Sequence, residues 1–203
     1  MKVAIITLDA FNELDSFIAS AILNRVVHAD WTVQICCPDT QVTSMNGLKI
    51  QAQQPIEYAN EADIVLFGSG MKTAEYANDP VFLKRLQLDP VRQVIGSQCS
   101  GALFLNRLGL LKKTMSTDTM TAPHLQKEGM HISESPLYAE GNIASAGGCL
   151  ASYYLAAWAI TKTLDWQTAA DIIYYVAPVG QKDEYVQLAK GVVLGAMGNR
   201  SHL

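Results

Sequence analysis

Short apolar runs that alternate with stretches of helical period limit this chain to few architectures. Val3 to Leu8 is brief and rich in β-branched residues, as a strand buried on both faces is. Asp9-Ala10-Phe11-Asn12 follows as a turn, with Asn12 placed to cap a helix. Leu14, Phe17, Ile18, Ala21, Ile22 and Val26 recur at a helical spacing, which predicts a helix over Glu13 to Ala29. Further strands are predicted at Thr32 to Cys37, Ile64 to Phe67, Gln93 to Gly96 and Ile143 to Ser145. Val42 to Ser44 and Leu48 to Ile50 flank Met45-Asn46-Gly47 as a hairpin-like excursion. Helices are predicted at Pro80 to Leu88, capped by Asp79, and at Gly101 to Leu111. Three more are predicted at Leu150 to Thr163, Trp166 to Tyr175 and Asp183 to Met197. Pro123 and Pro136 break any helix in the stretch before Ile143, where His131 to Ser135 is open to a strand reading. Strands alternating with helices give an α/β fold, a doubly wound, mostly parallel sheet sandwiched by helices. In such sheets ligands bind beyond the carboxyl ends of the strands. Three features fall there: Asp15 after the first strand, Gly68-Ser69-Gly70 after the third, and Cys99 after the fourth.

Composition removes several function classes. The 203 residues suit one domain over residues 1–203, and 49% hydrophobic with 17% charged content excludes wholesale disorder. A net charge of −4 leaves no basic surplus to neutralise phosphates, so nucleic acid is not an expected partner. Asp9 interrupts the N-terminal apolar run too early for a signal peptide, and no apolar run reaches membrane-spanning length. The expectation is a soluble protein of the reducing cytoplasm, with no membrane partner. Four cysteines, Cys36, Cys37, Cys99 and Cys149, are too few for a disulfide scaffold. Adjacent Cys36-Cys37 cannot chelate as C-x-x-C does, and no histidine sits at zinc spacing, so neither metal nor cofactor is expected.

Among those thiols Cys99 has the distinctive setting. Ser97-Gln98-Cys99-Ser100-Gly101 places small residues two before and two after the sulfur. A nucleophile elbow needs this, because the strand-to-helix turn is strained and neighbouring chain passes close. The following helix directs its positive end at the sulfur, which predicts a thiolate favoured by about two pKa units, roughly 2.7 kcal/mol. Cys36 and Cys37 sit inside an apolar strand, where burial raises the pKa. Cys149 follows a Gly-Gly turn at a helix start and is the second choice.

A thiol nucleophile also needs an oxyanion site and a proton partner. Gly68-Ser69-Gly70 lets backbone N–H groups approach closely, and the Ser100 N–H supplies a second donor; an ordinary turn fits the same residues. Glu13 and Asp15 both lie in the first turn of the first helix, and periodicity does not choose between them. His124 lies in a loop placed to cover the site, while His28, His131 and His202 have no supporting context.

Nearly the whole chain resembles the DJ-1/ThiJ/PfpI superfamily. The opening run from Val3 to Asp15, the glycine-ended strand Ile64 to Gly70, the elbow Ile95 to Leu105, Leu108-Gly109-Leu110-Leu111 with Thr121 and His124, and the late turn Gly141 to Gly148 carry the likeness. The resemblance implies a flavodoxin-like sandwich, class I glutamine amidotransferase-like, that forms a homodimer. It implies Cys99 as nucleophile, Asp15 rather than Glu13 as the acid, and Gly70 and Ser100 as oxyanion donors. Ser100 stands where the protease-like branch has histidine, so peptidase activity is not implied. Cys-Ser-Gly-Ala-Leu followed by Leu-Gly-Leu-Leu is most similar to the isonitrile hydratase branch, a lyase in which cysteine adds to an electrophilic carbon and a formamide results. That branch's Gly-Pro after the acid is replaced by Ile18-Ala19, and its Thr-Thr-His-Trp by Thr121-Ala122-Pro123-His124-Leu125, which changes the pocket walls. The alternatives implied are glyoxalase III or deglycase activity on 2-oxoaldehydes, and a non-catalytic stress sensor using Cys99. The chain is too short for the DNA-binding extension of the superfamily's transcription regulators. The partner expected is a small electrophilic substrate.

Overall fold

The computed structural model describes residues 1–28 and 30–198. Ala29, the predicted end of the first helix, and His202 lie outside them. The elements in order are β1 (Lys2–Ile6), α1 (Glu13–Leu23), β2 (Thr32–Cys37), β3 (Gln41–Thr43), β4 (Lys49–Gln51), β5 (Gln54–Pro55) and β6 (Ile64–Phe67). Then come α2 (Thr73–Ala77), α3 (Pro80–Leu83), β7 (Val94–Gln98), α4 (Ala102–Arg107), β8 (Thr114–Met115), α5 (Ala122–Lys127) and β9 (His131–Ile132). The chain continues through β10 (Leu137–Glu140), β11 (Ile143–Ala146), α6 (Ser152–Thr163), α7 (Trp166–Val176) and α8 (Lys182–Gly198).

Seven strands form one sheet in the order β10-β11-β7-β6-β1-β2-β5. Every neighbouring pair is parallel except β10–β11, which is antiparallel at the edge. Alternate residues of each central strand feed two cores, as the pleat requires. Val3 and Ile5 of β1 and Ile64 and Leu66 of β6 pack under α1, α6, α7 and α8. Ala4, Ile6, Val65 and Phe67 pack on the opposite face with Phe82, Phe104 and Leu105. Burial on both faces explains why these strands read as continuous apolar runs. β1 pairs β2 on one side and β6 on the other, so the strand order reverses between β1 and β6. The carboxyl ends of β1, β6 and β7 therefore open onto one crevice.

The flavodoxin-like layering agrees with expectation, and β2 and β6 match residue for residue. The differences have local causes. The first helix ends at Leu23, where Asn24 caps it, well before Ala29. The helix begun at Pro80 stops at Leu83, although Asp79 does cap it by accepting from the Val81 N–H. Pro123 does not prevent a helix: it occupies the first turn of α5, where its missing N–H would have no partner anyway. β10 was not anticipated; Gly141, with φ 61°, turns the chain back so that Leu137–Glu140 can pair with β11. The apolar helix α6 is core rather than surface, with Tyr154 through Ile160 buried.

Candidate functional site

β7 delivers Cys99 into the crevice. The residue has φ 49°, a left-handed conformation that side-chain-bearing residues adopt at a cost of order 1–3 kcal/mol. A 3-10 turn over Cys99–Gly101 then feeds α4, completing the elbow. Gly101 is required there, because a Cβ would lie 2.7 Å from the Gly68 carbonyl oxygen and 2.8 Å from that of Phe67. Gly70 is held just as closely: its Cβ would lie 2.3 Å from the Ala10 carbonyl oxygen. The Gly70 N–H points to the Ser100 hydroxyl at 3.4 Å, joining the glycine loop to the elbow. The Cys99 carbonyl accepts from Thr117 Oγ1 at 2.8 Å.

Asp15, Cys99 and Cys149 converge in the crevice, their ligand atoms all within 4.8 Å of one another. α1 carries Asp15 inward because Asn12 caps its start, accepting from the Leu14 N–H. Asp15 is 2% exposed; Ser69 Oγ donates to its Oδ2, and its Oδ1 has no protein partner. Glu13 instead turns outward and accepts from Asn46 Nδ2 at 2.8 Å. Gln98 folds back over the thiol: its Nε2 donates to the Gly148 carbonyl at 2.7 Å and approaches Cys99 Sγ at 3.5 Å. Asn12 Nδ2 donates to Cys149 Sγ at 3.2 Å.

The electrostatics correct one expectation. Burial pushes the Cys99 thiol strongly up, and the adjacent Asp15 carboxylate raises it further by charge and by accepting the thiol hydrogen bond. Gln98 acts the other way but is outweighed. Burial and the neighbouring carboxylate thus work against the thiolate that the helix end alone would favour. Cys149 is also raised, by burial first and then Asp15, but Asn12 donates to its sulfur and opposes the rise. Cys36 and Cys37 are pushed up to about 12 and about 11, chiefly by burial, as their strand setting implies.

The residues anticipated from sequence separate into two groups. Cys99, Asp15, Ser69, Gly70 and Ser100 meet in the crevice. His124 stands on the exposed side of α5, in the field of Glu128, which also takes Arg107 as its ion-pair partner. Gln98, Asn12 and Thr117 were missed: their types carry no catalytic signature, and only the cap preference at Asn12 gave any signal. Asp15, Cys99 and Cys149 also form a group able to bind a soft divalent cation, which would displace both thiol protons.

A doubly wound sheet with a buried cysteine at a strained elbow, facing a carboxylate from the first helix, defines a thiol-based α/β protein. Residues 1–162 match the DJ-1/PfpI family, and the chain belongs to it. Among solved structures it is similar to a ThiJ/PfpI family protein from Pseudomonas syringae, at 18% identity and a TM-score of 0.74, covering 97% of this chain and 89% of that one. Schizosaccharomyces pombe DJ-1 is similar at 15% identity and TM-score 0.64, over 93% of this chain and 98% of that one. Toxoplasma gondii DJ-1 in an oxidized form is similar at 17% identity and TM-score 0.72, over 86% and 97%. At these identities the likeness establishes the fold. No curated protein matches the sequence. Among the described residues no helix is long and apolar enough to cross a membrane.

Proposed function

We propose that this chain is a cysteine-dependent enzyme that hydrates a small electrophilic carbon, with an isonitrile as substrate. The observation that carries the reading is the buried Cys99 thiol at a strained elbow with the Asp15 carboxylate beside it. With the Asp15 carboxylate beside Cys99 to take its proton, addition and proton transfer proceed together. Cys99 Sγ bonds to the isonitrile carbon while its proton passes to Asp15 and on to that carbon, giving a thioimidate. Water then adds to the same carbon, Asp15 taking its proton and returning one to nitrogen. The C–S bond breaks, the formamide leaves, and Cys99 regains its proton. Isonitrile plus water equals formamide, so no cofactor enters the balance.

Gly70 and Ser100 N–H groups are proposed to face the charge that develops, and Ser69 to hold Asp15 in place. Ser69 is thus a positioning residue. His124, exposed on α5 near Glu128, is assigned no part in the reaction. The protein is proposed to act as a single-domain homodimer in the cytoplasm. The test is turnover of a panel of isonitriles and 2-oxoaldehydes by the protein and by Cys99→Ala. Formamide formation that disappears in the variant supports the reading. Turnover retained without the thiol overturns it, and turnover of 2-oxoaldehydes alone replaces the hydratase with a glyoxalase-type activity.

A further inference from the structure

Cys149 is left without a role by that mechanism, yet its sulfur shares the crevice with Cys99. We propose that Cys99 and Cys149 form a reversible redox dithiol, which a peroxide closes to an intramolecular disulfide. Four observations carry this. The two sulfurs lie within 4.8 Å of each other, and a disulfide requires closure to about 2.05 Å. Cys149 is the more accessible of the pair, while Cys99 is 4% exposed. Asn12 Nδ2 donates to Cys149 Sγ at 3.2 Å, a contact that stabilises negative charge on that sulfur. Asp15 lies beside both sulfurs and has an unpartnered oxygen to receive a proton.

The chemistry balances in two steps. The Cys149 thiol passes its proton to Asp15 as its sulfur attacks one peroxide oxygen; the O–O bond breaks, the sulfur is oxidised to the sulfenic acid, and the departing oxygen takes that proton from Asp15 and leaves as water or an alcohol. Cys99 Sγ then attacks the Cys149 sulfur, its proton moving to Asp15. The S–O bond breaks, the departing hydroxide takes that proton as water, and the S–S bond forms. A small thiol reductant reverses the state by exchange at the more exposed Cys149 sulfur. Closure protects Cys99 from irreversible oxidation and removes the nucleophile from use. Cys36 and Cys37 stay out of this chemistry, since both are fully buried in β2 with their side chains on opposite faces of the sheet.

The experiment treats the full chain with stoichiometric hydrogen peroxide, then blocks free thiols under denaturing conditions and maps peptides by mass spectrometry. The expected result is a Cys99–Cys149 crosslink with the loss of two hydrogens, both thiols returning after reduction. In Cys149→Ser, Cys99 is expected to oxidise more slowly and to proceed to sulfinic acid. In Cys99→Ser, a sulfenic acid at Cys149 is expected to be trapped by dimedone. Sulfinic acid at Cys99 with Cys149 still a free thiol in the unmodified chain overturns the proposal, as does a crosslink through Cys36 or Cys37. These readouts count covalent states and not turnover, so they stand or fall separately from the hydratase reading.

Discussion

Replacing Asp15 by asparagine separates the two effects that its carboxylate has on Cys99. The change keeps size and shape and removes one negative charge within 4.8 Å of the sulfur. At an effective dielectric constant of about 20, two unit charges at that distance interact by about 3.5 kcal/mol, or roughly 2.5 pKa units. The Cys99 thiol should therefore fall by about that much, while burial, its largest perturbation, still holds it above the ordinary value. At neutral pH the thiolate fraction rises by about 300-fold. A less basic thiolate is also less nucleophilic, which offsets about one order of magnitude and leaves alkylation faster by roughly 20-fold. Turnover should move the opposite way, since Asp15→Asn has no carboxylate to carry the proton. The assay pairs iodoacetamide labelling of Cys99, followed by peptide mapping, with steady-state turnover on the same preparation. Labelling that slows or does not change would refute the electrostatic coupling. Turnover that survives would refute the assignment of Asp15 as proton carrier.

Four further outcomes test other links. Gly101→Ala forces a Cβ against two backbone carbonyls, so it should lower stability by about 1–3 kcal/mol in denaturant melts and slow Cys99 labelling. Gly195→Ala in α8 meets nothing within 4 Å and should instead stabilise by about 0.5–1 kcal/mol. Cys36 and Cys37 are raised from 9.0 to about 12 and about 11, so their contribution to stability is complete below about pH 9 and is lost as pH rises. The slope should be about 1.4 kcal/mol per pH unit for each thiol, and replacing both with alanine should flatten it in denaturation series taken across the alkaline range. Sedimentation at micromolar concentration should give a dimer; a monomer alone would refute the proposed assembly.

The sequence revealed the central sheet well because burial on both faces forces Val3 to Ile6 of β1 and the whole of β6 to be uninterrupted apolar runs, and no helix of that length competes for the pattern. It served poorly where tertiary contacts decide. β10 is half-exposed at an edge and pairs only because Gly141 turns the chain beneath β11. The apolar residues of α6 run all round, and α1, α7 and α8 supply their cover from within the same chain.

The site divides along the same line. Cys99, Gly70 and Gly101 were legible because an elbow needs small neighbours wherever it occurs, and the close backbone contacts at both glycines are that requirement seen directly. The charge state of Cys99 was not legible, since a helix end is a local feature whereas burial and the distance to Asp15 are set by how β1 and β7 flank β6. Cys149 was ranked second on the same local grounds, being separated from Cys99 by half a hundred residues of chain whose path only the fold supplies. Once β11 is paired beside β7, the turn after it must end next to the elbow, and the second thiol arrives with it. The sheet order that makes Cys99 a nucleophile candidate therefore also provides the thiol able to switch it off, and the two properties cannot be altered independently by moving the strands.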